Sequence, residues 1–89
     1  MRERGKTFTL TVASPEKVYF EGKAISVIAP GKLGYLEILF QHAPLITSLQ
    51  KGNVTITLED STKRNLTVTG GILEVAHNDA VLLVDEVLS

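Results

Sequence analysis

Two histidines are the side chains of this 89-residue chain best suited to acid–base chemistry, and neither has the partners which that chemistry needs. A catalytic base requires an orienting carboxylate and a reacting group within hydrogen-bond reach. Glu37 lies five residues before His42, but no serine or cysteine nucleophile accompanies the pair. We therefore interpret His42 as a residue that caps local backbone or lines an interface. His77, followed by Asn78 and Asp79, is interpreted as part of a surface turn.

Metal ions and nucleotides also lack a recognisable site. Metal binding needs several histidine, cysteine or carboxylate ligands that converge, whereas the two histidines are 35 residues apart and cysteine is missing. The glycines at 31 and 34 are not followed by a Gly-Lys-Ser/Thr sequence or by a predicted helix, so a phosphate cradle is not indicated. Gly70-Gly71 predicts a β-bulge or a close approach of two backbones. The sequence thus predicts no catalytic residue, no metal and no cofactor.

Residues 29–49, with the sequence APGKLGYLEILFQHAPLITSL, form an unusually apolar segment between turn signals. Apolar residues clustered in such a segment are typical of a contact surface rather than of a reaction centre. We assign Tyr35 and Phe40 to an interface, because large aromatic side chains are difficult to bury from a loop. The segment therefore indicates a protein that binds other proteins.

Composition excludes several other classes of protein. The net charge is −1 and the nine basic residues are scattered, so the dense basic face of a nucleic-acid-binding protein is missing. No run approaches the roughly 20 apolar residues of a membrane-spanning helix. The apolar fraction of 44 % predicts one packed domain over residues 1–89, with residues 1–6 as a flexible N-terminus.

Hydrophobic and polar residues alternate over much of the chain, which is the period of a half-buried β-strand. Residues 7–13 alternate strictly, with Phe8, Leu10 and Val12 on one side and threonines on the other. Residues 54–59 and 65–69 repeat this pattern. Threonine at outward positions suits a pleated surface. These segments predict antiparallel strands with one face towards a core and one towards water.

Shorter apolar segments predict further strands. Residues 17–21 and 24–29 are expected to form two strands joined by a tight connection at Gly22. Residues 80–84 are apolar throughout, which predicts a strand covered on both sides. Phe20 is assigned to the interior together with Phe8. No segment of the sequence predicts a helix. The expected fold class is all-β: an antiparallel β-sandwich or flattened barrel of about 8–10 short strands.

Four motifs, in order and spanning nearly the whole chain, carry a family resemblance. They are LTVASPE at 10–16, Phe20-x-Gly22 with Val27-x-Ala29-Pro30-Gly31, the segment 34–49 that contains His42-Ala43-Pro44-Leu45, and GGILEV at 70–75 with Leu83-Val84-Asp85. With these motifs the chain resembles the epsilon subunit of F-type ATP synthases, which is called delta in mitochondria. The family's C-terminal pair of helices has no counterpart in this sequence, so the chain resembles either a naturally short member or the N-terminal β-sandwich domain of a longer one.

The resemblance implies a non-catalytic subunit of the central stalk, or rotor. Such a subunit links the gamma subunit to the c-ring and transmits the torque that proton or sodium flow generates for ATP synthesis. By the matching motifs, Ser14, His42 and Phe40 would face gamma. The residues that would face the c-ring are Gly31, Lys32, Leu33, Gly34, Tyr35 and Leu36.

The same resemblance implies a location and a set of partners. The subunit would be peripheral on the cytoplasmic face of the bacterial inner membrane, and it would meet the membrane only through the c-ring. It would have no cofactor, no nucleic-acid partner and no small-molecule substrate.

Two other functions are open at this point. A small β-barrel module that binds another ligand, such as single-stranded nucleic acid, would show salt-dependent retention on an oligonucleotide column. An enzyme that uses His42 with Glu37 or Asp85 would lose turnover when His42 is replaced.

Overall fold

The computed structural model describes residues 6–88, which form eight β-strands and contain no helix. No membrane-spanning helix is therefore found in this part of the chain. The predicted flexible segment 1–6 lies outside the described residues, apart from Lys6. The strands are β1 (Phe8–Ala13), β2 (Val18–Gly31), β3 (Gly34–Ile38), β4 (Leu45–Leu49), β5 (Gly52–Leu58), β6 (Lys63–Val68), β7 (Gly71–Ala76) and β8 (Asp79–Val84).

The strands form two layers that share β2. The first half of β2 pairs with β1, and its second half pairs with β5 and β3. One layer therefore has the order β2-β1-β8-β7-β4 and the other β6-β5-β2-β3. Leu49 at the end of β4 pairs with Gly31 at the end of β2, which closes the sandwich into a flattened barrel. The predicted fold class is confirmed, with one parallel pair, β1–β8, among otherwise antiparallel strands.

The predicted break at Gly22 is wrong, because β2 continues through it for 14 residues. Gly22 pairs with Leu10 inside the β1–β2 ladder, where it causes no turn. The change of direction occurs at Ile25, an extra residue between two consecutive pairs of the β2–β5 ladder. A β-bulge of this kind bends its strand, and here it carries β2 from one layer into the other.

The core lies between the layers and follows the predicted alternation. Phe8, Leu10 and Val12 are buried, as expected, and they meet the inward residues of the other strands. Phe20 packs at the edge of the core and is half-buried, with the Arg64 guanidinium 5.7 Å from its ring centroid. The prediction for Phe8 is thus confirmed in full, and Phe20 belongs to the rim of the interior.

Asn78 ties three segments of the chain together. Its side-chain amide donates to the Thr7 carbonyl at 2.8 Å, and its Oδ1 accepts from the Gln41 backbone N–H at 2.9 Å. Asn78 and His77 both have positive φ, 60° and 52°, in the β7–β8 turn. Two consecutive positive φ values are the geometry of a type I′ hairpin turn, so the predicted turn at His77 is confirmed.

Replacing Asn78 by glycine should lower the free energy of unfolding by about 2 kcal/mol, because two hydrogen bonds are lost while positive φ remains accessible. Urea denaturation measures this change. His77→Gly is the matched control, since it changes the neighbouring, exposed position of the same turn, where φ is also positive. Equal stability of the two variants would show that the Asn78 contacts contribute nothing.

Candidate functional site

The outward side of the layer β2-β1-β8-β7-β4 carries an apolar side chain on each of its five strands, with Thr11 and Glu74 among them. Ile72 lies directly opposite Leu83, Leu83 opposite Ala13, and Ala13 opposite Val18. Directly opposed residues have Cβ atoms about 5 Å apart, so these side chains touch across the strands. We name this surface the outer apolar face and define it by Ala13, Val18, Ile46, Ile72, Val81 and Leu83.

Several of these side chains are substantially exposed. Ile46 is 73 % exposed, Val18 56 %, Leu83 50 % and Ile72 46 %. Single exposed apolar residues are ordinary, but a cluster drawn from neighbouring strands is typical of a surface that another molecule covers.

An open groove lies at each end of the outer apolar face. One, of about 780 Å³, is lined by residues that include Pro44, Glu74 and His77. The other, of about 500 Å³, is lined by residues that include Ser14 and Asp85. Five of the six residues that define the outer apolar face line one groove or the other, so the face itself offers room for the side chains of a docked partner.

The apolar run at 80–84 supplies part of the outer apolar face. Ala80, Leu82 and Val84 are buried in the core, but Leu83 points outward and is half exposed. The prediction that this strand is covered on both sides is therefore wrong for residues 6–88 alone. Its outward residues have the apolar character of buried ones, and no described segment covers them.

The outward side of the other layer is polar. The Thr55 hydroxyl donates to Asn65 Oδ1 at 2.8 Å, and the Thr67 hydroxyl donates to Asn53 Oδ1 at 3.0 Å. These hydrogen bonds join β5 to β6, and in each pair the hydroxyl donor of the threonine is matched by the amide oxygen of the asparagine. The two outer surfaces thus differ in chemistry, and the outer apolar face is the better candidate for docking.

Ser14 and His42 lie at opposite ends of the outer apolar face. Ser14 Oγ accepts the backbone N–H groups of Glu16 at 3.2 Å and Lys17 at 3.4 Å, which holds the β1–β2 turn. The half-buried His42 ring donates from Nδ1 to the Ala43 carbonyl at 2.7 Å, because a carbonyl oxygen only accepts. This bond is a local backbone contact of the kind expected for His42, and its assignment to an interface stays a prediction.

Phe40 is half-buried, and part of its ring is covered by the chain itself. The Lys6 Nζ atom lies 5.2 Å from the ring centroid, within the range of a cation–π contact. Phe40 therefore offers a partner less apolar surface than its position in the sequence suggests, and its assignment to an interface stays a prediction.

Residues 31–36 contain the turn between β2 and β3 and the start of β3, and we name them the tip. Lys32, Gly34 and Tyr35 are exposed and Leu33 is fully exposed, whereas Gly31 is buried and Leu36 half-buried. A Cβ atom on Gly31 would lie 2.6 Å from Leu36 Cδ2, so the Leu36 side chain packs over this glycine. Of the six residues predicted to face one partner, four point outward and two support them from inside.

The geometry separates His42 from Asp85, one of the two carboxylates that the enzyme alternative would use. Asp85 follows β8 at the Ser14 end of the outer apolar face, whereas His42 lies near the β7–β8 turn, since Gln41 bonds to Asn78. Residues 6–88 contain no group of three His, Cys, Asp or Glu side chains placed to hold a metal ion. At the β5–β6 turn, hydrogen bonds from Thr62 lower the pKa of the exposed Asp60 carboxyl, and they stabilise a solvated turn.

Two of the five aromatic rings, those of Tyr19 and Phe20, each have a cation of the chain itself over them. Lys17 lies over Tyr19, with its Nζ 4.8 Å from the ring centroid, and Arg64 lies over Phe20. These cations cover the ring faces on which bases would stack. The geometry therefore does not favour the nucleic-acid-binding alternative.

Comparison with known proteins identifies what this chain is similar to. The sequence profile of the ATP synthase delta/epsilon chain β-sandwich domain matches residues 7–89. The ATP synthase epsilon chain of Chlorobaculum tepidum is 41 % identical over 87 residues, covering 98 % of this chain and 99 % of that protein. The epsilon chain of Moorella thermoacetica is 42 % identical over 79 residues, covering 89 % of this chain and 59 % of that longer protein.

A solved structure shows the same fold. A chain in the cryo-EM structure of the Euglena gracilis mitochondrial ATP synthase, described as OSCP/F1/c-ring in rotational state 1, superposes with a TM-score of 0.88 at 15 % sequence identity. The match covers 98 % of this chain and 56 % of the other, so this chain spans about half the length of that relative.

Proposed function

This chain belongs to the family of ATP synthase delta/epsilon chains, and we propose that it is a non-catalytic central-stalk subunit that joins the gamma subunit to the c-ring. The observation that carries the proposal is the outer apolar face. A subunit whose role is to hold two partners needs contact surfaces rather than a reaction centre.

The outer apolar face is the surface we assign to gamma. It presents exposed apolar side chains from several neighbouring strands, and Ser14 and His42, the residues expected to face gamma, lie at its two ends. Ile72 and Leu83 lie opposite each other towards its Ser14 end, and both are about half exposed, so a partner docked there would remove apolar surface from water. Phe40 would contribute at the His42 end only after Lys6 moves off its ring.

The tip is the surface we assign to the c-ring. The Lys32 backbone N–H donates to the Ser48 carbonyl at 2.9 Å, which attaches the tip to the end of β4, one of the strands of the outer apolar face. Both surfaces therefore belong to one body of paired strands. Such a body can pass torque from one partner to the other without internal slip, because motion between the two surfaces would break several backbone hydrogen bonds.

In this role the chain does no chemistry itself. Proton or sodium flow turns the ring, the sandwich turns with it, and gamma carries the rotation to the catalytic head, where ATP is made. The chain would lie at the cytoplasmic face of a bacterial inner membrane as a peripheral part of the synthase. Its contact with the membrane would be indirect, through the ring.

Reconstitution tests the proposal. An ATP synthase depleted of its epsilon chain should regain coupling between ATP hydrolysis and ion pumping in vesicles when this chain is added, because the ring is again joined to gamma. Ion pumping is followed with a fluorescent pH or sodium indicator. Failure of the chain to bind either the depleted complex or isolated gamma would contradict the proposal.

A further inference from the structure

β6 is the last strand of its layer, and residues 86–88 pair with only one end of its outer edge. The Leu88 backbone N–H donates to the Thr67 carbonyl at 2.8 Å, and Val87 lies opposite Val68. This short segment runs antiparallel to β6 and begins a further strand at its edge. Edge strands bind another strand readily, because their outward peptide groups have no partner within the sheet.

The other end of this edge has outward peptide groups that no described residue binds. Peptide groups alternate in direction along a strand, and the Thr67 carbonyl points away from β5. The N–H and C=O groups of Lys63 and Asn65 therefore point away from β5 as well. The Thr62 carbonyl accepts the Leu58 N–H at 2.9 Å, which agrees with this alternation, since even-numbered residues face β5. Lys63 and Asn65 thus present backbone donors and acceptors at the edge.

A groove of about 280 Å³ lies beside these peptide groups, between β6 and the first half of β2. Its apolar lining consists of Tyr19, Phe20, Ile56 and Leu66. Its charged lining consists of Lys63 and Arg64, and no carboxylate of the described residues lines it. The Arg64 guanidinium lies 5.7 Å from the Phe20 ring centroid, so positive charge borders apolar surface in this groove.

We propose that the outer edge of β6 at Lys63 and Asn65 is a strand-addition site for an extended, acidic polypeptide segment with apolar side chains at alternate positions. The segment runs antiparallel to β6, as residues 86–88 do, and exchanges backbone hydrogen bonds with Lys63 and Asn65. Directly opposed side chains share one side of a sheet. The apolar side chain opposite Arg64 therefore enters the groove beside Phe20, and the carboxylates on either side of it lie on the side of Lys63.

Charge selects this occupant over others. A second copy of β6 would bring the Lys63 and Arg64 cations of both copies onto one edge, and like charges that face each other across strands are destabilising. A small anion would meet the cations but would leave the peptide groups of Lys63 and Asn65 unpaired. An acidic extended segment satisfies both the cations and the peptide groups.

The edge is distinct from the outer apolar face and from the tip. Lys63 pairs with Thr57 near the end of β5, whereas Tyr35 in the tip accepts the Asn53 N–H at the start of β5. The outer apolar face belongs to the other layer. The edge is therefore a site for a third partner, beyond the two in the proposed function.

The test titrates the isotope-labelled chain with a short, capped peptide of alternating valine and glutamate and follows the backbone amide signals by NMR. The amide signals of Lys63 and Asn65 should shift downfield, and their exchange with solvent should slow, because both N–H groups gain hydrogen bonds. In the proposed pairing, the glutamate N–H groups face β6 and the valine N–H groups face away. N-methylation of the glutamates should therefore weaken binding at least about tenfold, whereas N-methylation of the valines, the matched control, should have little effect.

A pair of protein variants tests the same contact from the other side. Asn65→Pro removes an outward N–H at an edge position, where proline is tolerated, and should weaken peptide binding at least about fivefold. Asn65→Ala is the matched control, because it removes the same side-chain hydrogen bond with Thr55 and keeps the backbone N–H. Both variants should bind gamma as the wild type does.

Three results would overturn the proposal. One is the lack of amide shifts at Lys63 and Asn65 at millimolar peptide. Another is equal binding of the two methylated peptides, or of a peptide with lysine in place of glutamate, since recognition would then not use the backbone or the charge. The third is the same amide shifts on raising the concentration of the chain alone, which would identify a second copy as the occupant.

Discussion

Ile72→Lys should abolish tight binding to gamma while leaving the fold intact. Ile72 lies on the outer apolar face, opposite Leu83 on one side and Ser48 on the other. A charge placed in a dry contact must give up its water without a partner of opposite charge, and this desolvation is costly. We expect gamma binding to weaken by about 100-fold, which corresponds to about 2.7 kcal/mol.

The fold should tolerate this change because Ile72 is already 46 % exposed and its side chain lies outside the core. The free energy of unfolding should stay within about 1 kcal/mol of wild type. Calorimetric titration with gamma measures the affinity, and urea denaturation of the same sample measures the stability.

Leu33→Lys is the control, since it makes the same apolar-to-lysine change on the tip and should leave gamma binding unaltered. If Ile72→Lys bound gamma within about threefold of wild type, the outer apolar face would not be the gamma surface. If both variants lost binding equally, the separation of the two contact surfaces would be wrong.

Gly71→Ala should unfold much of the population under conditions in which the wild-type chain is stable. An added Cβ would collide with the Leu83 carbonyl oxygen and would lie 2.8 Å from the Val84 Cα atom. Both atoms belong to the backbone of the partner strand and cannot rotate away. Gly71 also has a φ of +148°, which L-residues rarely adopt. Together these costs should reduce the free energy of unfolding by about 3 kcal/mol or more, a large part of the 5–15 kcal/mol that holds a domain of this size.

Two other glycines allow the cost of the positive φ to be measured separately from the cost of the steric clash. Gly34 has a φ of +133° but nothing within 4 Å of its Cβ position, so Gly34→Ala should cost only the conformational part, about 1 kcal/mol. Gly22 has ordinary contact distance to Phe20, 3.5 Å, and Gly22→Ala should change stability by less than about 1 kcal/mol. Urea denaturation of the three variants tests the order; a Gly71→Ala protein as stable as Gly34→Ala would show that the strands move apart at little cost.

Alternation in the sequence predicted which residues lie inside along each strand. Phe8, Leu10 and Val12 are buried as expected, because successive side chains of a strand point to opposite faces. The close backbone approach at Gly70-Gly71 was also predictable, since only glycine lacks the Cβ that would clash there. The family resemblance was carried by motifs that span nearly the whole chain, and it predicted the sandwich and the part of the chain that forms the tip.

The path of β2 could not be predicted in the same way. Glycine at position 22 is equally compatible with a turn and with a place in a ladder, and only pairing with Leu10 decides between them. The bend at Ile25 arises because β2 must pair with β1 in one layer and with β5 in the other. That requirement depends on strands far away in the chain.

The sequence by itself determined the class of fold, the inward residues of each strand and the family, because these depend on local periodicity and on motifs read along the chain. Only the tertiary structure decided that Val18, Ala13, Leu83 and Ile72 form one row across four strands. It also decided that Tyr35 supports the tip through Asn53. The physical reason is that alternation tells which side of its own strand a residue occupies, whereas a surface is made by neighbours that hydrogen bonding between distant segments brings together.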